Sequence, residues 1–193
     1  MSITKQYIAE IQAFLDYLQF EKRYSINTVE AYQNDLEQFF AFLTSDFDSP
    51  AIPDILPTFV RTWLASLKSD DISSKSINRK ASSLKSFFKY QLKIGKLDAS
   101  PMVTVHSPKI SNRLPEFVLE EDLSDLFNHV EFTDDWKGKT ERIVLLLLYS
   151  TGMRVSELIN VKEGDVDFAK SQIKVLGKGN KERIVPLAKD MLD

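Results

Sequence analysis

Between Ile3 and Ile94 apolar side chains recur every three or four residues in four separate runs, whereas beyond Gln172 they alternate one by one. The first period lays apolar residues along one stripe of a helix; the second lays them on one face of a strand. A chain with this order of periods is predicted to be mainly α, with a small β-hairpin or sheet late in its length.

The first run, Ile3 to Phe20, aligns Ile3, Tyr7, Ile8, Ile11, Phe14, Leu15 and Leu18. In the second, Asn27 is placed to cap a helix with Glu30 three residues later, and Val29, Tyr32, Leu36, Phe39, Phe40 and Leu43 form the stripe, which ends near Thr44. The third begins at Pro57 or Thr58 and buries Phe59, Val60, Trp63, Leu64 and Leu67. The fourth is capped by Ser73 or Ser74, aligns Ile77, Ala81, Leu84, Phe87, Phe88 and Leu92, and stops at Gly95. Four helices with short connections predict a helical domain over residues 1–104. Pro101, Pro108 and Pro115, with Lys109 and Arg113 between them, make residues 105–115 an extended basic linker.

Residues 116–193 read as a mixed α+β region. A short helix from Glu120 to Val130 precedes a polar loop around Trp136 to Lys139 and an apolar helix, Thr140 to Tyr149. After a further helical start at Arg154, the runs Gln172–Leu176 and Arg183–Leu187 form a hairpin across Gly177, Lys178, Gly179 and Asn180. Pro186 has no amide to donate, so it belongs at a strand end or on an edge.

The net charge of −3 alone argues mildly against a nucleic-acid partner, but its distribution reverses that inference. Residues 72–113 carry 9 basic side chains against 1 acidic, while residues 1–71 carry 5 against 11 and residues 114–193 carry 11 against 16. The basic stripe falls on the polar face of the fourth helix, where Lys75, Arg79, Ser82, Lys85 and Lys89 line up with Asn78 and Ser86 close by. That face is either a phosphate-tracking surface or an ordinary solvated one. With no cysteine and only two isolated histidines, His106 and His129, no metal site is expected. The longest apolar run, Ile143 to Tyr149, is too short to cross a bilayer, and no signal core opens the chain, so a cytoplasmic location is expected.

The stretch most able to carry chemistry is Ser150-Thr-Gly-Met-Arg-Val-Ser-Glu-Leu158. It is followed 24 residues beyond Arg154 by Lys178, which sits between two glycines. Arg154 and Glu157 share a helical face, and a guanidinium matches a phosphate bidentately without ever losing its charge. The alternative is an Arg154–Glu157 pair that merely ties down a helix start. Lys178 is free to reach into a groove and donate a proton to a departing alkoxide, or is a plain solvated turn lysine.

These motifs resemble the tyrosine recombinase (phage integrase) family, in particular its Xer-like branch. There, Thr-Gly-hydrophobic-Arg-hydrophobic-Ser-Glu-Leu carries the first catalytic arginine and Gly-Lys-Gly-x-Lys the catalytic lysine. The resemblance extends to Tyr24-Ser-x-Asn-Thr-Val-x-Ala-Tyr-x-x-Asp-Leu and to Lys75-Ser-Ile-Asn-Arg-Lys-x-Ser-Ser-Leu-Lys, which look like the family's N-terminal, SAM-like core-binding domain. It implies catalytic roles for Arg154 and Lys178 and a supporting role for Glu157. It also implies DNA contacts by Asn27, Thr28, Lys75, Asn78, Arg79, Ser82, Lys85, Lys89, Lys109, Lys181 and Arg183.

What it implies about activity is site-specific recombination through a 3′-phosphotyrosyl intermediate, with no cofactor and with double-stranded DNA as partner. The intact parent would act as a tetramer on paired sites. The family's second arginine, its histidine motif and its C-terminal tyrosine have no match in these residues. Tyr7, Tyr17, Tyr24, Tyr32, Tyr90 and Tyr149 fall in stretches that read as helical and mostly core. The chain is therefore expected to hold a truncated catalytic domain and to bind DNA without cutting it. The alternative is a natural non-catalytic protein that occupies recombination sites.

Overall fold

The computed structural model describes residues 5–106, 108–109, 117–177, 179 and 181–188. Lys178 and Arg113 lie outside them. The chain divides into two compact units, Met1–Arg113 and Leu114–Asp193. Mostly helical, with one small antiparallel sheet, it has the expected fold class.

In the first unit, α1 (Lys5–Asp16) runs into a single π turn, Tyr17–Glu21, where Lys22 N donates to Tyr17 O at 3.0 Å. The sequence reading took one helix through Phe20. The α-helix gives way to the π turn after Asp16, but Leu18, on the expected stripe, is still buried, and Phe20, off it, is 71% exposed. Ile8, assigned to the stripe, is also exposed, since the buried line runs through Tyr7, Ile11, Phe14 and Leu15.

Helix α2 (Ile26–Asp46) starts one residue before the expected cap: Ser25 stands at the N-cap, its Oγ 2.8 Å from Thr28 Oγ1, and Asn27 is already in the first turn. Pro57 opens α3 (Pro57–Ser69) at the position where a missing amide costs nothing. Helix α4 (Ser74–Lys93) is capped by Ser73 Oγ, which accepts from Ser76 N at 3.2 Å. It ends in a Schellman turn: Lys96 N donates to Gln91 O and Gly95 N to Leu92 O, with Gly95 at φ +73°.

These helices close on a core of rings and aliphatics. Phe14, Leu36, Phe39, Phe40, Leu43, Val60, Leu84, Phe87 and Phe88 are all inaccessible to solvent. Edge-to-face contacts tie α1 to α4 (Phe14–Phe87, 5.5 Å) and α2 to both α4 (Phe40–Phe87, 5.4 Å) and α3 (Phe39–Trp63, 5.1 Å). Within this core lies a charge, the carboxylate of Asp35 on α2, 0% exposed.

The second unit contains α5 (Glu120–His129), α6 (Trp136–Thr151), the single turn α7 (Val155–Leu158) and the strands β1 (Val166–Asp167), β2 (Gln172–Gly177) and β3 (Lys181–Pro186), in sheet order β1-β2-β3. The polar loop expected around Trp136 to Lys139 is helical. Asp135 Oδ1 accepts from Gly138 N at 2.8 Å and from Thr133 Oγ1 at 2.6 Å, so the helix begins a turn early. Gly138 permits this close start, because a Cβ there would fall 2.1 Å from the Thr133 carbonyl oxygen.

Strand β1 was not foreseen, since two residues are too few to show a period. The expected hairpin is present, antiparallel, with Ile173 opposite Val185 and Gly177 opposite Lys181. Pro186 is the last residue of β3, which is an edge strand, as its missing amide requires. Buried Met153, Ile173, Val175 and Leu187 form a small core, with Leu147, Leu148 and Val185 packed on it.

Candidate functional site

Two places in the molecule carry the expected site residues, one in each unit. The first is the polar face of α4. Lys75, Arg79, Ser82, Lys85 and Lys89 are all exposed, and Lys75, Lys85 and Lys89 form no ion pair with a described residue. Arg79 differs: its Nη1 donates to Asp35 Oδ2 at 2.5 Å while the side chain stays half exposed. Asn78 donates from Nδ2 to Pro108 O at 2.9 Å, fastening the start of the Pro-rich segment to α4. Lys109 is exposed just beyond it, and Asn27 is exposed on the first turn of α2 with half-buried Thr28 beside it.

The sequence reading missed a neighbouring feature. Tyr17, Lys22, Tyr24, Ser86, Lys89, Tyr90 and Lys93 line an open groove of about 660 Å³. The Nζ of Lys93 lies 4.5 Å from the Tyr17 ring centre, a cation–π distance. Lys89, Ser86 and Tyr24 had been named separately, but nothing in the sequence joined them to Tyr17 and Lys22, which the π turn and the residues after it bring against α4. Tyr24 and Tyr149, read as helical and mostly core, are 42% and 54% exposed. Tyr7 is buried and donates to Pro50 O at 2.5 Å, and burial pushes its hydroxyl up to about 12, far from any nucleophilic role.

The second place is built around Thr151-Gly-Met-Arg154. Each residue has a separable task. Thr151 Oγ1 bonds back to Leu147 O and accepts from Met153 N at 3.3 Å; Gly152 takes the left-handed conformation (φ +61°) that ends α6. Met153, 4% exposed, anchors the turn in the small core, and Arg154 follows in extended conformation at the N-cap of α7 with its side chain 69% exposed. Arg154 thus stands just outside the helix whose face it was expected to share.

Glu157 organises the cluster. Its buried carboxylate accepts from Arg154 N (2.8 Å), Arg154 Nη1 (2.8 Å), Arg183 Nη1 (2.9 Å) and Arg183 Nη2 (2.7 Å). The bidentate Arg183 contact, then the Arg154 amide, hold the Glu157 carboxyl far below the usual range, and Glu157 in turn raises Arg183. The Arg154 amide is thus committed to Glu157, and Arg183, expected on DNA, also grips the carboxylate from β3.

Gly177 closes the cluster, for a Cβ on it would lie 3.1 Å from Arg183 Nη1 and 3.3 Å from Glu157 Oε1. The strand can therefore pass close to the clamp just before Lys178, which itself lies outside the described residues. Lys181 opens β3 and is exposed. Among the described residues, no group of three or more His, Asp or Glu side chains is placed to hold a metal ion, and no helix is long and apolar enough to cross a membrane.

Comparison with protein families matches both the helical unit and the α+β unit that carries the arginine cluster. The model described as the phage integrase N-terminal SAM-like domain matches residues 11–95, and that described as the phage integrase family matches residues 116–193. The chain belongs to the phage integrase, or tyrosine recombinase, family.

Among curated proteins it is 40% identical over 178 residues to the tyrosine recombinase XerC of Staphylococcus saprophyticus, covering 91% of this chain and 58% of the relative. It is also 40% identical over 179 residues to the XerC of Staphylococcus aureus strain N315, with the same coverage. The chain spans 58% of the length of these relatives. Two solved structures share its fold. A lambda integrase tetramer bound to a Holliday junction has a TM-score of 0.70 at 16% identity, over 96% of this chain and 52% of that one. The Tn1549 transposon integrase with circular intermediate DNA has a TM-score of 0.64 at 18% identity, over 94% and 61%.

Proposed function

We propose that this chain is the DNA-binding and Arg154-bearing part of a site-specific tyrosine recombinase. Residues 1–104 form its core-binding domain, residues 105–115 a basic linker and residues 116–193 part of its catalytic domain. The observation that carries this reading is the Glu157 clamp, which draws Arg154 and Arg183 onto one carboxylate beside the strand leading into Lys178.

In this reading the exposed Arg154 guanidinium binds a scissile phosphate and stabilises the negative charge that grows on its oxygens during displacement. A tyrosine oxygen of the complete protein attacks phosphorus and the P–O5′ bond breaks. Lys178 delivers a proton to the departing 5′-oxygen, leaving a 3′-phosphotyrosyl bond that a 5′-hydroxyl later reverses. The exchange conserves phosphodiester bonds and draws on no nucleotide hydrolysis. Glu157 and Arg183 hold Arg154 in place without touching the reacting atoms. The polar face of α4, with Asn27 and Thr28 on α2, lies along duplex DNA, and the complete protein assembles as a tetramer on paired sites.

The test has two arms. The 193-residue chain should bind duplex DNA with steep salt dependence, and the Arg79→Ala/Lys85→Ala double variant should flatten the slope by about one unit for each lost phosphate contact. In the full-length recombinase, Arg154→Ala should reduce covalent protein–DNA adduct by about 10²–10³-fold while sparing most duplex affinity. An unchanged adduct yield in that variant removes Arg154 from the chemistry.

A further inference from the structure

We propose that Asp35 is a positioning residue for DNA recognition: buried beneath the polar face of α4, its carboxylate fixes where the Arg79 guanidinium stands. The inference rests on the DNA-binding reading of that face and goes beyond it by assigning a role to a core residue that DNA does not reach.

Asp35 is 0% exposed and has three donors, all from α4: Arg79 Nη1 at 2.5 Å, Lys80 Nζ at 3.1 Å and Ser83 Oγ at 2.7 Å. Lys80, itself 6% exposed, gives a second bond to Gln38 Oε1 at 2.6 Å. One carboxylate thus faces two cations, and the cluster keeps a net positive charge. Lys80 is turned inward and neutralises the buried acid. Arg79 shares the same acid while its side chain remains 50% exposed, and a weaker contact at 3.5 Å to Ala31 O steadies Nη1.

The Nε and Nη2 donors of Arg79 have no hydrogen-bond partner among the described residues, leaving them available to an outside acceptor. Lys75, Lys85 and Lys89 have no such anchor among the described residues, so each ammonium can follow phosphates anywhere along a duplex. A guanidinium held by a buried acid meets only acceptors that come to it, and that is how a cation contributes discrimination as well as affinity. Geometry supports this division: the acid is fully buried between α2 and α4 and held by three donors, so the anchor sits in the core rather than on the surface.

The test uses the 193-residue chain. Two probes are compared: the duplex sequence that the wild-type chain enriches from a random-sequence pool, and unselected pool duplex. Asp35→Asn keeps the shape and part of the hydrogen bonding but frees both cations. It should hold or tighten binding to unselected duplex and steepen its salt dependence by up to about one unit. Preference for the enriched duplex should fall about tenfold.

Arg79→Lys, which cannot make the same fork, should lose a similar preference at unchanged melting temperature, and the two changes together should cost no more than either alone. If Asp35→Asn unfolds the unit, Arg79→Lys still decides: retained preference overturns the proposal. A lower melting temperature in Asp35→Asn with preference and salt slope both intact makes Asp35 purely structural and also overturns it. A wild-type chain that binds no duplex, or enriches no sequence, overturns it together with the DNA-binding reading of α4, whereas a binding wild type with an indifferent Asp35→Asn overturns this inference alone.

Discussion

The first unit encloses a cluster of aromatic rings, with Phe20 left outside it, whereas among the described residues the second leaves several of its largest apolar side chains exposed. Phe14, Phe39, Phe40, Phe87 and Phe88 are sealed between helices, whereas Phe117, Trp136, Val155, Ile159 and Phe168 are each more than 60% exposed. The four-helix unit owes its order to ring packing, with one buried acid among its described residues, Asp35, at its charged centre. Local polar devices mark the second: the Asp135 cap, the Gly152 turn and the Glu157 clamp, beside a cluster of buried Met153, Ile173, Val175 and Leu187. Packing and polar geometry are therefore divided between the units, and each should fail under a different insult.

The largest expected effect is on the packed unit. Phe87→Ala removes a ring that touches Phe14, Phe40 and Phe88, and should cost about 3–5 kcal/mol by chemical denaturation. Amide exchange in β2 and β3 should not change; acceleration there would mean that the units unfold as one and would break the contrast. Next is Gly138→Ala, whose Cβ meets the Thr133 backbone at 2.1 Å. It should destabilise the second unit by about 1–3 kcal/mol, with exchange rising at the start of α6 and nowhere in α1–α4.

A smaller and pH-dependent effect belongs to Glu157. Its carboxyl lies far below its ordinary 4.5 in the folded protein, so its stabilisation is complete above that value and is lost as pH falls toward the depressed folded value. Acid titration should loosen the β2–β3 amides of the wild type below about pH 4.5. In Glu157→Gln those amides should exchange faster at neutral pH, with the difference between the two proteins narrowing in acid. A constant difference across pH would remove the carboxylate from the clamp. The smallest change expected is Ser73→Ala, about 1 kcal/mol from the loss of one cap on α4, read as a shift in the thermal midpoint of the first unit alone.

Much of this protein was legible in its residues because much of it is local. The stripes of α2, α3 and α4, the Gly95 stop, the hairpin and the terminal place of Pro186 each follow from a spacing or a single residue's geometry. The Thr151-to-Glu157 segment was visible for the same reason, since its turn, anchor and cap lie within seven consecutive residues.

Failures began where two local rules competed or where partners were distant. Asn27 met every rule for a cap, yet Ser25 took the position, and Trp136 to Lys139 looked like loop until Asp135 began the helix. The π turn carries no period that could announce it. Above all, no pattern in the chain pairs Asp35 with Lys80, 45 residues away, or Glu157 with Arg183, 26 residues away. Periodicity tells which face of an element is buried, because the apolar area on that face is what drives burial. Which charges meet depends on how the elements cross, and the short range and strict geometry of a hydrogen-bonded ion pair leave that decision to the tertiary fold.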